Sequence, residues 1–174
     1  MVLRTTLAVV LTVLPTLAVA AAANPSGLPL PRFVTIRAKE SNVRVGPGYQ
    51  YDVAWKYQVG GVPVEIIQEF DVWRKIRDMD GSTGWVHQNM LSGTRAGYVI
   101  KDVGDKVGLH ASASEDSGVV AWVGPGFPVK INSCTQGWCA VVATDHPAVG
   151  SPANYSGYLP ETDLWGVYSG ENFD

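Results

Sequence analysis

The chain states one pattern twice. Pro63-Val64-Glu65-Ile66 is echoed by Pro128-Val129-Lys130-Ile131, and ten residues after each proline stands a tryptophan, Trp73 and Trp138. Val53-Ala54-Trp55 matches Val120-Ala121-Trp122, and Gly84-Trp85-Val86 matches Gly157-Tyr158-Leu159. Six residues after each of those last aromatics comes a leucine, Leu91 and Leu164, with a glycine two further on. Such self-similarity means two copies of one supersecondary unit, the first over 33–93 and the second over 98–166. The second copy carries eight extra residues between its tryptophan and its Gly-Tyr, around 146–152. They read as a longer surface loop.

Each unit reads as small antiparallel β-structure. Val43 and Val45 alternate with Asn42 and Arg44 until Gly46-Pro47-Gly48 breaks the strand. A β-branched strand follows over 62–67, ended by Asp71; the next runs over 73–77 and stops at the turn signal Asp80-Gly81. A short strand over 84–87 leads into a single helical turn over 88–91. With 19 glycines, 11 prolines and only 17% charged residues, the composition favours such short strands over long helices. Five strands in about 60 residues cannot bury both faces of a flat sheet; they can close into a small, strongly bent barrel.

The N-terminus predicts export. One positive charge, Arg4, precedes an apolar run from Leu7 to Ala23, and small-x-small cleavage patterns occur at 18–20 and 20–22. The reading is a signal peptide over 1–23, removed on export; Pro15 and the alanine tail argue against a membrane anchor. The exported chain then has no membrane span and is periplasmic or secreted. It keeps twelve basic and sixteen acidic residues, a net charge of −4, which excludes a dedicated nucleic-acid binder. Residues 24–32, with three prolines, read as a linker, and 167–174 as a C-terminal tail.

Asn42-Val43-Arg44-Val45-Gly46-Pro47-Gly48, the Gly-Val-Pro-Val-Glu run at 61–65, Trp73-Arg74-Lys75-Ile76-Arg77 and Gly84-Trp85-Val86-His87 follow in order. Together they resemble the bacterial SH3-like (SH3b) domain. The match is closer to exported proteins with two such domains, which carry a Gly-Trp-Val-His-Gln run like 84–88 and a Leu-Trp-Gly-Val-Tyr run like 164–168. The resemblance implies an all-β chain of two tandem small SH3-like barrels after a cleaved signal peptide. It also implies a binding role toward peptidoglycan stem peptides or another cell-envelope peptide, or docking onto a cell-envelope protein. One departure stands out: a basic pair is usual before the Gly-x-Pro-Val run, and Val59-Gly60 occupy that place here.

Cys134 and Cys139 flank a hairpin turn in the second unit. In an exported protein they read as a disulfide. The first unit has Glu69 and Arg74 at the equivalent positions, which predicts an ion pair across the same hairpin.

The aromatic residues are the functional lead. On the strand over 73–77 side chains alternate, so Ile76 faces the core and Trp73 shares the other face with Lys75 and Arg77. Tyr49, Tyr51 and Tyr57 cluster after the Gly-Pro-Gly turn, where SH3 folds have the long loop that walls their groove. An aromatic groove of this kind suits extended peptides. The candidate ligand residues are therefore Tyr49, Tyr51, Tyr57, Trp73, Lys75 and Arg77. The competing reading has Trp73, Tyr49 and Tyr51 packing against each other or against the second unit. Trp55 and Trp85 read as packing residues, and Trp138 as either an interdomain contact or a ligand residue. The basic residues favour the first unit: it balances seven basic against seven acidic residues, whereas the second has three against seven.

Catalysis finds little support. Gly81-Ser82-Thr83-Gly84 is a turn, not a nucleophile elbow. His87, His110 and His146 have no spacing that suggests a triad or a metal site, and the Cys-x4-Cys pair lacks a neighbouring histidine cluster. The sequence reads as a non-enzymatic chain without cofactor or metal.

Overall fold

The computed structural model describes residues 24–37, 39–145 and 151–174. The predicted signal peptide and most of the predicted loop insert, 146–150, lie outside the described residues.

Two seven-stranded antiparallel sheets follow one another along the chain. The first contains β1 (Arg32–Ile36), β2 (Ser41–Arg44), β3 (Val53–Tyr57), β4 (Pro63–Phe70), β5 (Trp73–Arg77), β6 (Thr83–His87) and β7 (Leu91–Ser92). The second contains β8 (Ala96–Val99), β9 (Val107–His110), β10 (Val119–Val123), β11 (Pro128–Thr135), β12 (Trp138–Asp145), β13 (Ala153–Pro160) and β14 (Leu164–Trp165). Their strand orders are β3-β2-β6-β5-β4-β1-β7 and β10-β9-β13-β12-β11-β8-β14. These are the same order with seven added to every label, so the motif repeat is a repeat of topology. The expectation of an all-β chain built as two SH3-like barrels holds.

Each barrel has its own core. Val34, Ile36, Val43, Val64, Ile66, Ile76, Val86 and Leu91 fill the first. Val99, Leu109, Val129, Ile131, Val141, Leu159 and Leu164 fill the second, around the disulfide between Cys134 and Cys139. Bulges recur at matching points: one extra residue, Ala54 or Val120, between the second and third strands, and another, Ile67 or Asn132, between the fourth and fifth. Bulges sharpen the local twist and so help a short sheet bend. A 3₁₀ turn over Gln88–Met90 stands where the sequence predicts a helical turn, and Glu161–Asp163 repeats it.

The register corrects one match. Val43 pairs with Trp55, and its counterpart Leu109 pairs with Ala121, not Trp122. Trp55 therefore corresponds to Ala121, Lys56 to Trp122 and Tyr57 to Val123. The two Val-Ala-Trp triplets are alike in letters but one residue out of step, and a one-residue slip moves a side chain to the opposite face.

Residues 24–32 and 167–174 are parts of the barrels. In the segment read as a linker, Ser26 donates to Glu69 through its N–H at 2.9 Å and its hydroxyl at 2.7 Å, and Leu30 packs on the first core. Arg32 already begins β1. In the segment read as a tail, the backbone of Phe173 bonds Cys134 in both directions, at 2.9 and 3.0 Å. Glu171 takes the Arg95 guanidinium at 2.7 and 2.9 Å. Proline content describes the backbone alone; it does not reveal that Glu69 and Arg95 draw on partners from these ends.

The two barrels meet through rings. Phe33 on β1 lies 5.0 Å, edge-on, from Trp165 and 4.7 Å from Tyr168. The Tyr168 hydroxyl donates to Glu65 at 2.8 Å, and the Trp165 indole to the Pro63 carbonyl at 3.4 Å. Burial and the bond to Glu65 push the Tyr168 hydroxyl well above its ordinary pKa of 10.0.

Candidate ligand-binding cleft

Strands β2, β6 and β5 lie side by side and turn Val43, Val86 and Ile76 into the core. Alternation then puts Asn42 and Arg44, Trp85 and His87, and Trp73, Lys75 and Arg77 on the other face. Cross-strand pairs fix the arrangement: Arg44 opposite Trp85, Trp85 opposite Lys75, and His87 opposite Trp73.

The loop over 45–52 folds back onto this face. The turn passes through Gly46 and Gly48; a Cβ on Gly46 would lie 2.5 Å from the Tyr51 ring, so a larger residue there would displace that ring. Arg44 holds the loop from below, donating to the Tyr51 carbonyl at 2.7 Å and the Tyr49 carbonyl at 3.3 Å. Its guanidinium carbon also sits 5.6 Å from the Tyr49 ring centre, within cation–π range. Tyr49 lies edge-on to Trp73 at 5.1 Å and stacks with His87 at 6.0 Å, and Trp73 meets His87 edge-on at 5.5 Å. A small cleft of 170 Å³ opens here, bounded by Glu40, Asn42, Arg44, Tyr49, Trp73, His87 and Met90. It is room for a side chain of an extended ligand, not for a whole small-molecule cofactor.

Trp73 is on the expected face but is not the exposed platform. It is only 6% exposed, because Tyr49 and His87 cover it, whereas Tyr49 is 72% exposed. The contrast between a Trp73 open in a groove and a Trp73 buried between barrels resolves to neither: it is buried within its own repeat. Trp138 also packs within its own repeat, edge-on to His110 at 5.4 Å, but is only half-buried.

The other candidates disperse. Tyr51 is exposed over Gly46 at the far side of the loop. Tyr57 packs on the first core, edge-on to Trp55, and its hydroxyl bonds the Asp78 carboxylate. Burial, that bond and the Asp78 charge push its hydroxyl far above its ordinary pKa of 10.0. Lys75 is half-buried on the cleft's face but does not line it. Arg77 turns to Glu65, donating through Nε at 2.7 Å, and so joins the contact with the second barrel. Of the six residues, the structure brings only Tyr49 and Trp73 together in the cleft.

Arg44 and His87 were missed as site residues. The alternation Asn42-Val43-Arg44-Val45 already put Arg44 opposite the core. Nothing local reveals that the loop returns over it. The His87 ring accepts from the Asn89 N–H through Nδ1 at 3.2 Å, capping the 3₁₀ turn, so a neutral ring carries its hydrogen on Nε2.

The second repeat alters this surface. By register Arg44 becomes His110 and His87 becomes Pro160, and the corresponding cleft is lined by Lys101, Lys106, His110, Glu115, Pro160 and Asp163 among others. It has no counterpart to the Tyr49 ring. A larger cleft, of 530 Å³, lies where the barrels meet, but its guanidinium, Arg95, is already held by Glu171 and the Gly166 carbonyl. Among the described residues no group of His, Cys, Asp or Glu is placed to hold a metal ion, and no helix is long and apolar enough to cross a membrane.

Residues 37–93, which include all the lining of the aromatic cleft, match the family model described as "Bacterial SH3 domain". No curated protein matches the chain. Among solved structures, NlpC1 from Trichomonas vaginalis is similar at 15% identity and a TM-score of 0.32, over 86% of this chain and 50% of that one. NlpC2 from the same organism is similar at 13% identity and a TM-score of 0.32, over 78% and 48%. The chain thus spans about half the length of these structures.

Proposed function

We propose that this chain, which carries a bacterial SH3 domain over residues 37–93, is an exported, non-catalytic binding module of the cell envelope. Its ligand is a peptidoglycan stem peptide or another extended envelope peptide, held in the first barrel. The observation that carries this reading is the cleft itself: an exposed tyrosine stacked beside a histidine over a buried tryptophan, with a guanidinium at its edge. Rings offer flat apolar contact to an extended backbone. Arg44 and the His87 imidazole supply donors for carbonyl or carboxylate groups.

Tryptophan fluorescence, titrated with purified peptidoglycan fragments, tests the reading. Tyr49→Ala is the matched control because Tyr49 is exposed and its removal leaves the core intact. The expected result is saturable quenching that weakens at least about tenfold in the variant. Absence of a response at millimolar fragment, or an equal response in both proteins, contradicts it. A second reading, docking onto a cell-envelope protein, draws on a different surface, the exposed strand β10.

A further inference from the structure

The repeat supplies an internal control for β10. In the first barrel, Trp55 and Tyr57 fill the space between the edge strand β3 and the hairpin of β5 and β6, and the Tyr57 hydroxyl reaches Asp78 across it. Outward between them stands Lys56, 3.8 Å from Glu40. In the second barrel the two filling residues become Ala121 and Val123, and the outward lysine becomes Trp122. Neither filling residue is aromatic here, and among the described residues a groove of 400 Å³ stands open between β10 and the hairpin of β12 and β13. It is lined by Val120, Ala121, Trp122, Phe127, Asp145 and Tyr155 among others. Trp122 is 65% exposed at its lip, beside exposed Val119, Val120 and Tyr155.

The strand itself lacks the usual protection. Among the described residues β10 pairs only with β9, and its other edge has no ladder partner. Its sequence, Val119-Val120-Ala121-Trp122-Val123, holds no charge and no proline. Edge strands are normally blunted by charge, proline or cover, and Lys56 supplies that charge in the first barrel. An apolar edge beside an open groove of mixed polar and apolar lining is a site for β-strand addition, in which ladder bonds give affinity and alternate side chains give specificity.

We infer that β10 and its groove dock an extended strand from a partner polypeptide. Two bulky apolar side chains at alternate positions of that strand take the space that Trp55 and Tyr57 fill in the first barrel. The partner strand also carries basic residues. Asp145 is the charged residue lining the groove, and the second repeat, 98–166, has three basic against seven acidic residues. Those charges attract a cationic strand and oppose pairing with a second copy of the same acidic repeat. The inference rests on the docking reading and is independent of the aromatic cleft.

The test is an amide chemical-shift titration of the exported chain with a synthetic peptide, acetyl-Lys-Thr-Tyr-Thr-Val-Thr-Lys-amide. The control peptide has proline in place of two threonines; it keeps the charge but cannot form the ladder. The variant is Trp122→Lys, which copies Lys56 at an exposed position and leaves the core untouched. The expected result is a saturable response confined to β10, Ala143 and Tyr155, at least about tenfold weaker for the control peptide and for the variant. No response at millimolar peptide overturns the inference. So does equal binding by the proline peptide or by Trp122→Lys, which would mean charge attraction alone. Concentration-dependent dimerisation through β10 in sedimentation makes a second copy the occupant and equally overturns it. A response at Arg44, Tyr49 and His87 instead would place the peptide in the other cleft, and would leave β10 without its partner strand.

Discussion

Glu69 shows how much one side chain organises. It stands opposite Arg74 across the β4–β5 hairpin, 3.2 Å from its Nε, so the ion pair expected from the sequence forms. It also binds Arg32 at 2.6 Å and Ser26, and its side chain is wholly buried. Burial works against its charge, but the Ser26 hydroxyl, Arg32, the Ser26 N–H and Arg74 outweigh it and hold the carboxyl below its ordinary pKa of 4.5. On an open hairpin such a cross-strand pair is worth about 0.2–1 kcal/mol. Arg32 and Arg74 would keep their other acceptors but lose their carboxylate in a buried site, so Glu69→Gln should instead cost about 2 kcal/mol. Chemical denaturation measures this. A depressed carboxyl contributes stability that is present above its unfolded pKa and is lost as pH falls through the folded one. Stability should therefore hold from neutrality down to about pH 5 and decline below that, with a shallower decline in Glu69→Gln. Tyr49→Ala, by contrast, should leave stability within about 0.5 kcal/mol of the parent, because the ring is mostly exposed.

At the scale of elements, the equivalent hairpin of the second barrel replaces this network with the Cys134–Cys139 disulfide, joining partners that face each other in the ladder. Closing so short a loop restricts the unfolded chain by about 2 kcal/mol, and reduction should lower the stability of the second barrel by that amount. Denaturation with and without reductant checks it. Strand periodicity made β5, its turn and the face of Trp73 legible. It could not show what covers that face, because cover comes from a loop that returns from β2 through Gly46 and Gly48. Nor could it show the bulges at Ala54 and Val120, each a single unpaired residue. The match of Trp122 to Trp55 went astray for that reason: similarity of letters carries no register. Arg44 was readable as outward-facing, yet its grip on two loop carbonyls depends on chain reversal that local pattern does not encode.

Across the whole molecule, the barrels are joined by a three-residue connection, 93–95, and by the contact of Phe33 with Trp165 and Tyr168. Tyr168→Ala removes one of the two rings on Phe33 and leaves Glu65 with Arg77 alone. Calorimetry should then separate one unfolding transition into two, since the cores themselves are distinct. The central claim is that the two repeats share a fold but not a site, with peptide recognition in the first. It is tested most directly by mapping amide chemical shifts of residues 24–174 against a purified stem peptide of peptidoglycan. The expected result is one contiguous set of shifts at Glu40, Asn42, Arg44, Tyr49, Trp73 and His87, saturating together, with the equivalent surface at His110 and Pro160 unmoved. Shifts confined to the second repeat or to the cleft between the barrels would contradict it, as would none at millimolar peptide.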